Sequence, residues 1–541
     1  MDARRKQMKN KKMGFTLLLI LIFALVAGAC SSNTNNAGMS SQPADSGTNP
    51  TPQVSEQPKP DNSATEQAAQ SGPLFDEKKT FTFMVRAHNN WTYSADKPLM
   101  QMLEKRTNVK IDPLVQPLDN YDNNVNLAIA SGDLPDIIYM SNVSTANKFG
   151  LEGALTNILD YIDVMPNFKQ WLTKYPEITN SYIAADGGMY MFPNQGLGEG
   201  NRVSWFYRED VFKKHNLSVP KTYDELYDVL KELKKLYPDS YPLTTREGNL
   251  TFLRLMAAQF DTFHYAYYDY DKNEWRYGPT EDNFKTMLEY LNKFYKEGLI
   301  APDFLTMTIP KWEEMVTTDK TFISVDYLVM DTYNIPMREK NPDYNLAFMA
   351  PPAGGPNGKQ ANFNNAAVWS GQTVSSTTKQ AEDIMKYMDF FYTEEARELT
   401  SWGEEGVTYE VVDGKKRYIA PYNENQSILR EKSGIFARGT TNWFDWDAYM
   451  SLAEEGTRLA YEEVRKYDSK LQPKVAFTDE ENEIVSTIGQ AVNKHKDENA
   501  SKFILGTRSL DEWDQYVQEA KKLGYEQLVD VHKQAYSRVT K

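Results

Sequence analysis

The chain has 541 residues, a length that predicts two or more folding units. Its formal net charge of -15 argues against nucleic acid as a partner, because such a partner requires a basic face. Cys30 is the only cysteine, so an intramolecular disulfide framework and a cysteine-based zinc site are both excluded.

The first 30 residues follow the order of a secretory signal. A basic head that includes Arg4 and Lys12 precedes an apolar stretch over residues 15–26, and small residues then lead to Cys30. The apolar stretch is shorter than the roughly 20 residues of a membrane span. A cysteine at this place resembles a bacterial lipobox, which implies that residues 1–29 are cleaved and that the Cys30 thiol is diacylated. An ordinary signal peptide with an incidental cysteine, or an uncleaved anchor helix, is the alternative.

Residues 30–73 are predicted to form a disordered tether. The segment 31–72 consists mainly of Ser, Asn, Thr, Gln, Pro, Ala and Gly and contains no aromatic residue. It cannot bury enough apolar area to offset the entropy that ordering would cost. As a flexible chain it would span roughly 35 Å, which lifts a folded domain clear of a lipid anchor.

The folded part begins with a β-α-β pattern. Residues 80–86 alternate and are rich in β-formers, so they predict a strand, and the polar loop 88–91 follows it. A helix is predicted around 98–107 and a second strand from Val109. Such a unit predicts a parallel pair of strands.

The stretch 121–140 predicts a helix, a stop and a buried strand. Apolar residues have helical spacing up to Ser131, and Gly132 suits the left-handed position that ends a helix. Residues 136–140 are nearly all apolar, as in a strand whose two faces are both covered. The run S-G-D-L-P-D-I-I at 131–138 resembles the signature of extracellular solute-binding proteins of bacterial ABC transporters.

Further segments resemble the same family in chain order. They are residues 152–158, 185–194, 219–226, 295–304, 350–359 and 402–410. In the third of these, Thr222 and Glu225 also predict a capping box at the start of a helix. The resemblance extends from about Thr80 to Leu523 and is strongest to the lipoprotein type that binds oligosaccharides in Gram-positive soil bacteria.

The resemblance implies an α/β, two-lobed, periplasmic-binding-protein-like fold of type II. Each lobe would be a mainly parallel sheet flanked by helices, with extra helices at the C-terminus. Lobe 1 is expected in residues 74–194 plus 367–405, and lobe 2 in residues 195–366 plus 406–541. The ligand would lie between the lobes, where the carboxyl ends of parallel strands meet.

The implied function is capture of an oligosaccharide and its delivery to the permease subunits of an ABC importer. The protein is expected to be a monomer on the outer face of the cell membrane, without cofactor or metal. A binding protein for peptides or another polar solute is one alternative, and a secreted carbohydrate-active enzyme is another. No H-E-x-x-H, G-x-S-x-G or Walker A sequence occurs. The neighbouring Glu404 and Glu405 would point apart rather than flank a glycosidic bond.

Sugars are bound by rings that stack on their CH faces and by planar polar groups that bond their hydroxyls. Such residues are expected in the cleft at four places, although packing or surface roles are the alternative for each. They are Asn89, Asn90 and Trp91; Asn194, Gln195, Arg202 and Trp205; Trp369 and Gln372; and Trp402, Glu405 and Tyr409.

Two segments bear on calcium. The acids of residues 269–273 have spacing reminiscent of a calcium loop, but Glu274 replaces the required glycine, and a hairpin is the better interpretation. Some members of the family carry an acidic calcium loop after the helix that begins here at Thr222. The equivalent stretch, residues 237–243, lacks those acids, so calcium is not expected.

Overall fold

The computed structural model describes residues 72–539 except 88–90, 118–119, 197, 247, 249, 329, 365–369, 438 and 440–441. The predicted signal peptide, Cys30 and nearly all of the predicted tether lie outside the described residues. Within the described part, none of the helices combines the length and apolar character needed to cross a membrane.

Twelve strands are present among the described residues. They are Lys79–Arg86 (β1), Val109–Gln116 (β2), Ile137–Met140 (β3), Val203–Arg208 (β4), Leu243–Thr245 (β5), Ala266–Asp269 (β6), Glu274–Tyr277 (β7), Ile323–Tyr327 (β8), Leu346–Met349 (β9), Gly371–Val374 (β10), Tyr409–Val412 (β11) and Lys415–Tyr418 (β12).

Nineteen α-helices surround them in the same part of the chain. They are Pro98–Thr107 (α1), Tyr121–Ser131 (α2), Val143–Leu151 (α3), Pro166–Lys174 (α4), Pro176–Asn180 (α5), Glu209–His215 (α6), Tyr223–Leu236 (α7), Leu250–Met256 (α8), Asp282–Lys296 (α9), Ile309–Val316 (α10), Met330–Arg338 (α11), Ala381–Phe390 (α12), Glu394–Ser401 (α13), Gln426–Ser433 (α14), Trp446–Met450 (α15), Glu455–Val464 (α16), Asp479–Leu505 (α17), Trp513–Lys522 (α18) and Tyr525–Val539 (α19).

Two four-stranded sheets form the centres of the two lobes. The first has the order β10-β3-β1-β2 and the second has the order β5-β8-β4-β9. In the first sheet β10 runs opposite to the other three strands, and in the second sheet β4 does so. Each of these reversed strands begins where the chain arrives from the other lobe. It therefore starts at the edge where its neighbours end.

The predicted β-α-β start of the fold is confirmed. β1 and β2 are parallel over their full length, from Lys79 beside Val109 to Arg86 beside Gln116. The helix predicted over 121–131 ends at Gly132, whose φ of 74° is in the left-handed region. Because a side chain there would be strained, glycine is the residue best suited to this stop.

Two large apolar clusters stabilise the molecule. One contains the first lobe and continues through aromatic residues of segment 436–461 to one face of the second sheet. The other fills the opposite face of the second sheet, where α7, α9 and the start of α18 pack. The extra C-terminal helices α17, α18 and α19 belong to the second lobe, as the resemblance implies.

Residues after 405 do not pass directly into the second lobe. Tyr409 donates a hydrogen bond from its hydroxyl to Glu398 at 3.1 Å, and Lys416 forms an ion pair with Glu398 at 2.7 Å. Lys97, just before α1, donates to the carbonyl oxygen of Arg430 at 3.3 Å. These contacts attach segment 409–430 to the first lobe and argue for a boundary later than the predicted residue 405.

Candidate functional site

The two lobes are joined by segments whose described residues we call the crossing region: 192–196, 198–202, 362–364, 370–371, 439 and 442–446. Gln195 and the third segment pair through their backbones. The Gln195 N–H donates to Asn442 at 2.9 Å, and the Phe444 N–H donates to Gln195 at 3.0 Å. In the first sheet Met140 lies beside Gly371, and in the second sheet Tyr327 lies beside Val203. The carboxyl edges of both sheets therefore border the crossing region, which is the place where ligands bind in open α/β sheets.

Asn194 lies in the crossing region and Gln372 follows it in β10, and both direct their amides inward. Asn194 is 9% exposed, and its Nδ2 donates to the Ser370 carbonyl at 2.7 Å and to the Tyr182 hydroxyl at 3.3 Å. The buried Gln372 amide donates to the Gly439 carbonyl at 3.1 Å. Both side chains connect crossing segments to one another. This placement argues against the predicted ligand contacts, because the groups that would bond a sugar are used internally.

Arg202 has a similar internal role. Its guanidinium forms a two-pronged ion pair with Glu199, at 2.8 and 3.0 Å, and a further ion pair with Asp468. Burial raises the pKa of Asp468 in spite of the opposing charge of Arg202. Burial also opposes ionisation of Glu199, but Arg202 and Arg465 together leave the pKa of Glu199 below its usual value. The arginine thus holds the start of β4 to the segment that follows α16.

Trp205 is a core residue of the second lobe. Its side chain is fully buried and meets the Tyr223 ring edge-on at a centroid distance of 6.2 Å. Both faces of β4 are covered, so alternation along the strand does not bring this ring to solvent. The prediction that Trp205 lines the cleft is corrected on this ground.

The predicted contacts Trp402, Glu405 and Tyr409 lie at the opposite edge of the first sheet. Trp402 is 6% exposed and stacks on Tyr418 at 4.9 Å. Glu404 forms an ion pair with Lys105 at 3.3 Å, and Lys105 is in the last turn of α1. The end of α1 is adjacent to the start of β2, so this loop lies at the amino edge of the sheet. The expected cleft role of these three residues is therefore not supported, although Glu405 is exposed to solvent.

Of the remaining predicted residues, Asn89, Asn90 and Trp369 lie outside the described residues. Trp91 is described and half-buried, and it follows the carboxyl end of β1. The Arg430 guanidinium lies 5.1 Å from the centroid of the Trp91 ring. A flat ring beside a cation, at the carboxyl edge of the first sheet, is an arrangement that can stack on a sugar and bond its polar substituents.

Arg430 also lines a cavity shared by both lobes, which we call the Arg430 pocket. Its walls are Leu328, Asp331, Thr332, Asn425, Gln426, Ser427, Arg430, Tyr449, Met450, Leu452, Ala453, Thr457 and Tyr461. The Arg430 Nη2 donates to Gln426 at 3.3 Å and to the Tyr449 hydroxyl at 3.4 Å. Its Nε is buried and has no hydrogen-bond partner among the described residues. The pocket is thus lined by a guanidinium that has one hydrogen bond unmade within the described residues.

Sequence reasoning missed Arg430 but could have found Arg86. Arg86 is the last residue of β1, and the rule that selected Trp91 from the end of this strand applies to it as well. Arg430 is on α14, whose Leu429 faces the core and whose N-cap is Asn425. Nothing in that local pattern indicates that the next residue reaches Trp91, which is distant in the chain.

A wide groove of about 910 Å³ lies elsewhere on the second lobe. It is formed by the β6–β7 hairpin, the start of α9 and the helix α19, and its rim includes Asp261, Glu274, Asp282 and Glu526. It does not border the crossing region, and the carboxyl edges of the two large sheets do not open into it. Its size alone does not make it the candidate site.

The segment where some family members bind calcium is held differently here. The Lys234 ammonium donates to the Ser240 carbonyl at 2.7 Å, and the Lys320 ammonium donates to the Asp239 carbonyl at 3.3 Å. Calcium prefers several oxygen ligands with carboxylates among them, and two ammonium groups at these carbonyls do not fit that preference. No cluster of three or more potential metal ligands from His, Cys, Asp and Glu occurs in the described part of the chain. The hairpin predicted around residues 269–273 is confirmed by the pairing of β6 with β7.

Comparison with known proteins shows which proteins the chain as a whole resembles. The fructooligosaccharide ABC transporter substrate-binding protein FusA of Streptococcus pneumoniae is 25% identical over 510 residues, covering 85% of this chain and 91% of FusA. Lipoprotein LipO of Bacillus subtilis is 25% identical over 375 residues, covering 66% of this chain and 72% of LipO. The crystal structure of alginate-binding protein AlgQ2 without calcium ion superposes with a TM-score of 0.75 at 24% identity, covering 87% of this chain and 100% of AlgQ2.

The fold and the family follow from these comparisons. The two-lobed α/β fold expected from the sequence is confirmed by the structural similarity. The model of the family described as bacterial extracellular solute-binding protein matches residues 88–398, which is more than half of the chain. The chain belongs to the family of bacterial extracellular solute-binding proteins.

Proposed function

We propose that this protein captures an oligosaccharide at the crossing region and delivers it unchanged to the permease subunits of an ABC importer. The observation that carries the proposal is the Trp91–Arg430 pair, which lies where the carboxyl edge of the first sheet meets the segments between the lobes. The ring offers a surface for the CH face of a sugar, and the guanidinium offers donors for its oxygens. The names of FusA and AlgQ2 describe proteins that bind carbohydrates, which supports this class of ligand.

Binding is expected to act by closing the two lobes. The crossing segments connect the lobes through a few backbone pairs, and a ligand that contacts both lobes favours the closed arrangement. No covalent step is required of the protein. A monomer is sufficient, because both walls of the Arg430 pocket come from one chain.

The experiment is a thermal-shift screen of the soluble fragment from residue 72 to residue 541 with neutral and acidic oligosaccharides. Short peptides form the second arm of the screen. A ligand at about one hundred times its dissociation constant stabilises the folded state by roughly 2.7 kcal/mol. A shift with a glycan that is recovered intact supports the proposal. A shift with peptides alone would mean that the ligand is a peptide and not an oligosaccharide. Release of new reducing ends would favour the enzyme alternative.

Two tryptophans provide a matched test of the site. Trp91→Ala should weaken glycan binding by about two- to twelvefold, because stacking on one ring contributes about 0.5–1.5 kcal/mol. Trp402→Ala should leave the dissociation constant unchanged, since that ring lies at the amino edge of the first sheet. Loss of binding in Trp402→Ala with full binding in Trp91→Ala would place the cleft elsewhere.

The proposal includes attachment to the outer face of the cell membrane through Cys30. The similarity to lipoprotein LipO and the position of the only cysteine after the apolar stretch support it. Two acyl chains are enough for stable anchoring. Cys30→Ser should release the protein into the medium of expressing cells, whereas the parent chain should fractionate with membranes and incorporate labelled fatty acid.

A further inference from the structure

Most arginines of the described residues are neutralised by carboxylates. Ten of them form ion pairs, namely Arg106, Arg202, Arg208, Arg246, Arg276, Arg338, Arg397, Arg465, Arg508 and Arg538. Arg86, Arg254 and Arg430 are different: each is half-buried, and none forms an ion pair with a carboxylate of the described residues. This is unexpected in a chain whose acidic residues outnumber its basic ones by 75 to 60.

All three of these arginines border the crossing region. Arg86 ends β1, and its charge acts on Tyr139, whose hydroxyl donates to Ser370 at 2.9 Å. Arg254 is on α8, and its guanidinium lies 5.9 Å from the ring of Phe363, a residue of the second crossing segment. Arg430 lies beside Trp91 and lines the pocket shared by the two lobes. Two of the cations thus belong to the first lobe and one to the second.

The carboxylate that lines the Arg430 pocket already accepts two hydrogen bonds. Asp331 also lines the Arg430 pocket, but it accepts hydrogen bonds from the Thr457 hydroxyl at 2.6 Å and from the Glu454 N–H at 2.9 Å. Lys97 adds a further cation on the first lobe, and burial lowers its pKa. Three arginines that form no ion pair with a carboxylate of the described residues therefore border the crossing region of a protein whose net charge is -15.

Half-buried cations without an anion are costly, because desolvation is not repaid by a partner. A ligand that brings carboxylates would repay this cost and gain charge-assisted hydrogen bonds from the guanidinium groups. The ring of Trp91 beside Arg430 suits a pyranose that carries its carboxylate at the ring edge.

We propose that the ligand is an anionic oligosaccharide built from uronic acid units, whose carboxylates pair with Arg86, Arg254 and Arg430. This inference rests on the proposed function and specifies its substrate class. Because the arginines lie on both lobes, a single anionic chain would connect the two lobes and favour closure. Neutral oligosaccharides of the same length would lack these contacts.

The test is calorimetric titration of the full-length chain in mild detergent with matched ligands. The probes are oligomers of galacturonate and of mannuronate, the methyl ester of each, and neutral fructan and galactan oligomers. We expect at least one uronate series to bind tenfold or more tightly than its own methyl ester. We also expect its affinity to fall as sodium chloride is raised from about 50 to 500 mM, since salt screens exposed charge pairs. Equal affinity for acid and ester, or binding of neutral oligomers alone, would overturn the inference and leave the proposed function intact. Failure of every oligosaccharide to bind would overturn both.

The same titration on variants identifies the residues. Arg430→Gln, Arg254→Gln and Arg86→Gln should each weaken uronate binding by about tenfold while changing the affinity of the methyl ester by less than twofold. Arg417→Gln is the matched control, because Arg417 is exposed on β12 and has no carboxylate partner within the described residues either. Uronate binding that stays unchanged in all three cleft variants would contradict the assignment. The comparison of each uronate oligomer with its methyl ester on the parent chain tests the inference even if a variant does not fold.

Discussion

The ion-pair cluster around Arg202 allows a quantitative prediction about the crossing region. The side chain of Arg202 is 7% exposed, and its three bonded nitrogens are divided between two carboxylates. In Asp468→Ala one buried donor of the guanidinium loses its acceptor while the two bonds to Glu199 remain. A buried charged group that loses one hydrogen bond costs about 1.5–3 kcal/mol, and this is the expected fall in the free energy of unfolding.

Removing the arginine should cost more. Arg202→Ala leaves Glu199 and Asp468 as two partly buried carboxylates, of which only Glu199 keeps a cation, Arg465 at 3.2 Å. Breaking a buried pair in this way costs about 3–5 kcal/mol. In the double variant, Arg202→Ala with Asp468→Ala, the Asp468 carboxylate is absent, so the cost of leaving it buried without a cation does not arise. The two single effects should therefore exceed the double effect by about 1.5–3 kcal/mol.

Urea unfolding followed by circular dichroism, with linear extrapolation, measures these differences. Asp163→Ala is the control, because the Asp163 side chain is 92% exposed and its ion pair with Lys169 at 3.4 Å is worth less than about 1 kcal/mol. Additivity of the Arg202 and Asp468 variants to within about 0.5 kcal/mol would refute the reasoning. It would mean that the two side chains do not depend on each other in the folded protein.

Other consequences of the structure can be measured on the same protein. Trp205→Ala should lower the free energy of unfolding by about 3–5 kcal/mol in the same urea assay, because a fully buried ring is lost. Lys234→Met should lower it by about 1.5 kcal/mol through loss of a charged hydrogen bond to the loop 237–243, and Lys235→Met, whose side chain is exposed, should change it little. The melting temperature should be the same in EDTA and in calcium chloride, and a rise of several degrees with calcium would contradict the loop assignment. Hydrogen bonds from Arg508 and His495 hold the pKa of Glu519 at about 2, below its usual 4.5. The stabilising contribution of Glu519 is therefore fully present above about pH 4.5 and is lost as the pH falls toward 2. The difference in melting temperature between the parent chain and Glu519→Gln should be constant from pH 7 to 5 and shrink toward pH 3, whereas a difference that grows on acidification would contradict the sign.

Local features were predictable where the cause lies in neighbouring residues. The Thr222 hydroxyl accepts from the Glu225 N–H at 3.2 Å, as the pattern before α7 predicts. The Glu225 carboxylate, however, accepts from the N–H of Lys221 rather than of Thr222. The stop at Gly132 and the parallel start of the fold follow in the same way from spacing and backbone preference.

The site residues were less predictable, because their roles depend on contacts between distant parts of the chain. Trp205 and Trp402 have the composition and the motif context of ligand contacts, yet tertiary packing covers both rings. Asn194 is at the crossing, as predicted, but Ser370 and Tyr182 occupy its amide. A sequence indicates which residues can bond a sugar. Only the fold determines which of their polar groups have no internal hydrogen-bond partner.

The crossing region therefore uses arginine in two opposite ways. Arg202 has two carboxylates within reach, so it stabilises the connection between segments and has little left to offer a ligand. Arg430 lies against the rings of Trp91 and Tyr449 and bonds two neutral acceptors, and no carboxylate of the described residues forms an ion pair with it. The two arginines therefore differ in whether a carboxylate of the described residues lies within ion-pair distance. A half-buried cation without a partner costs stability in the ligand-free state, and on the inference proposed above an anionic ligand would recover that cost on binding.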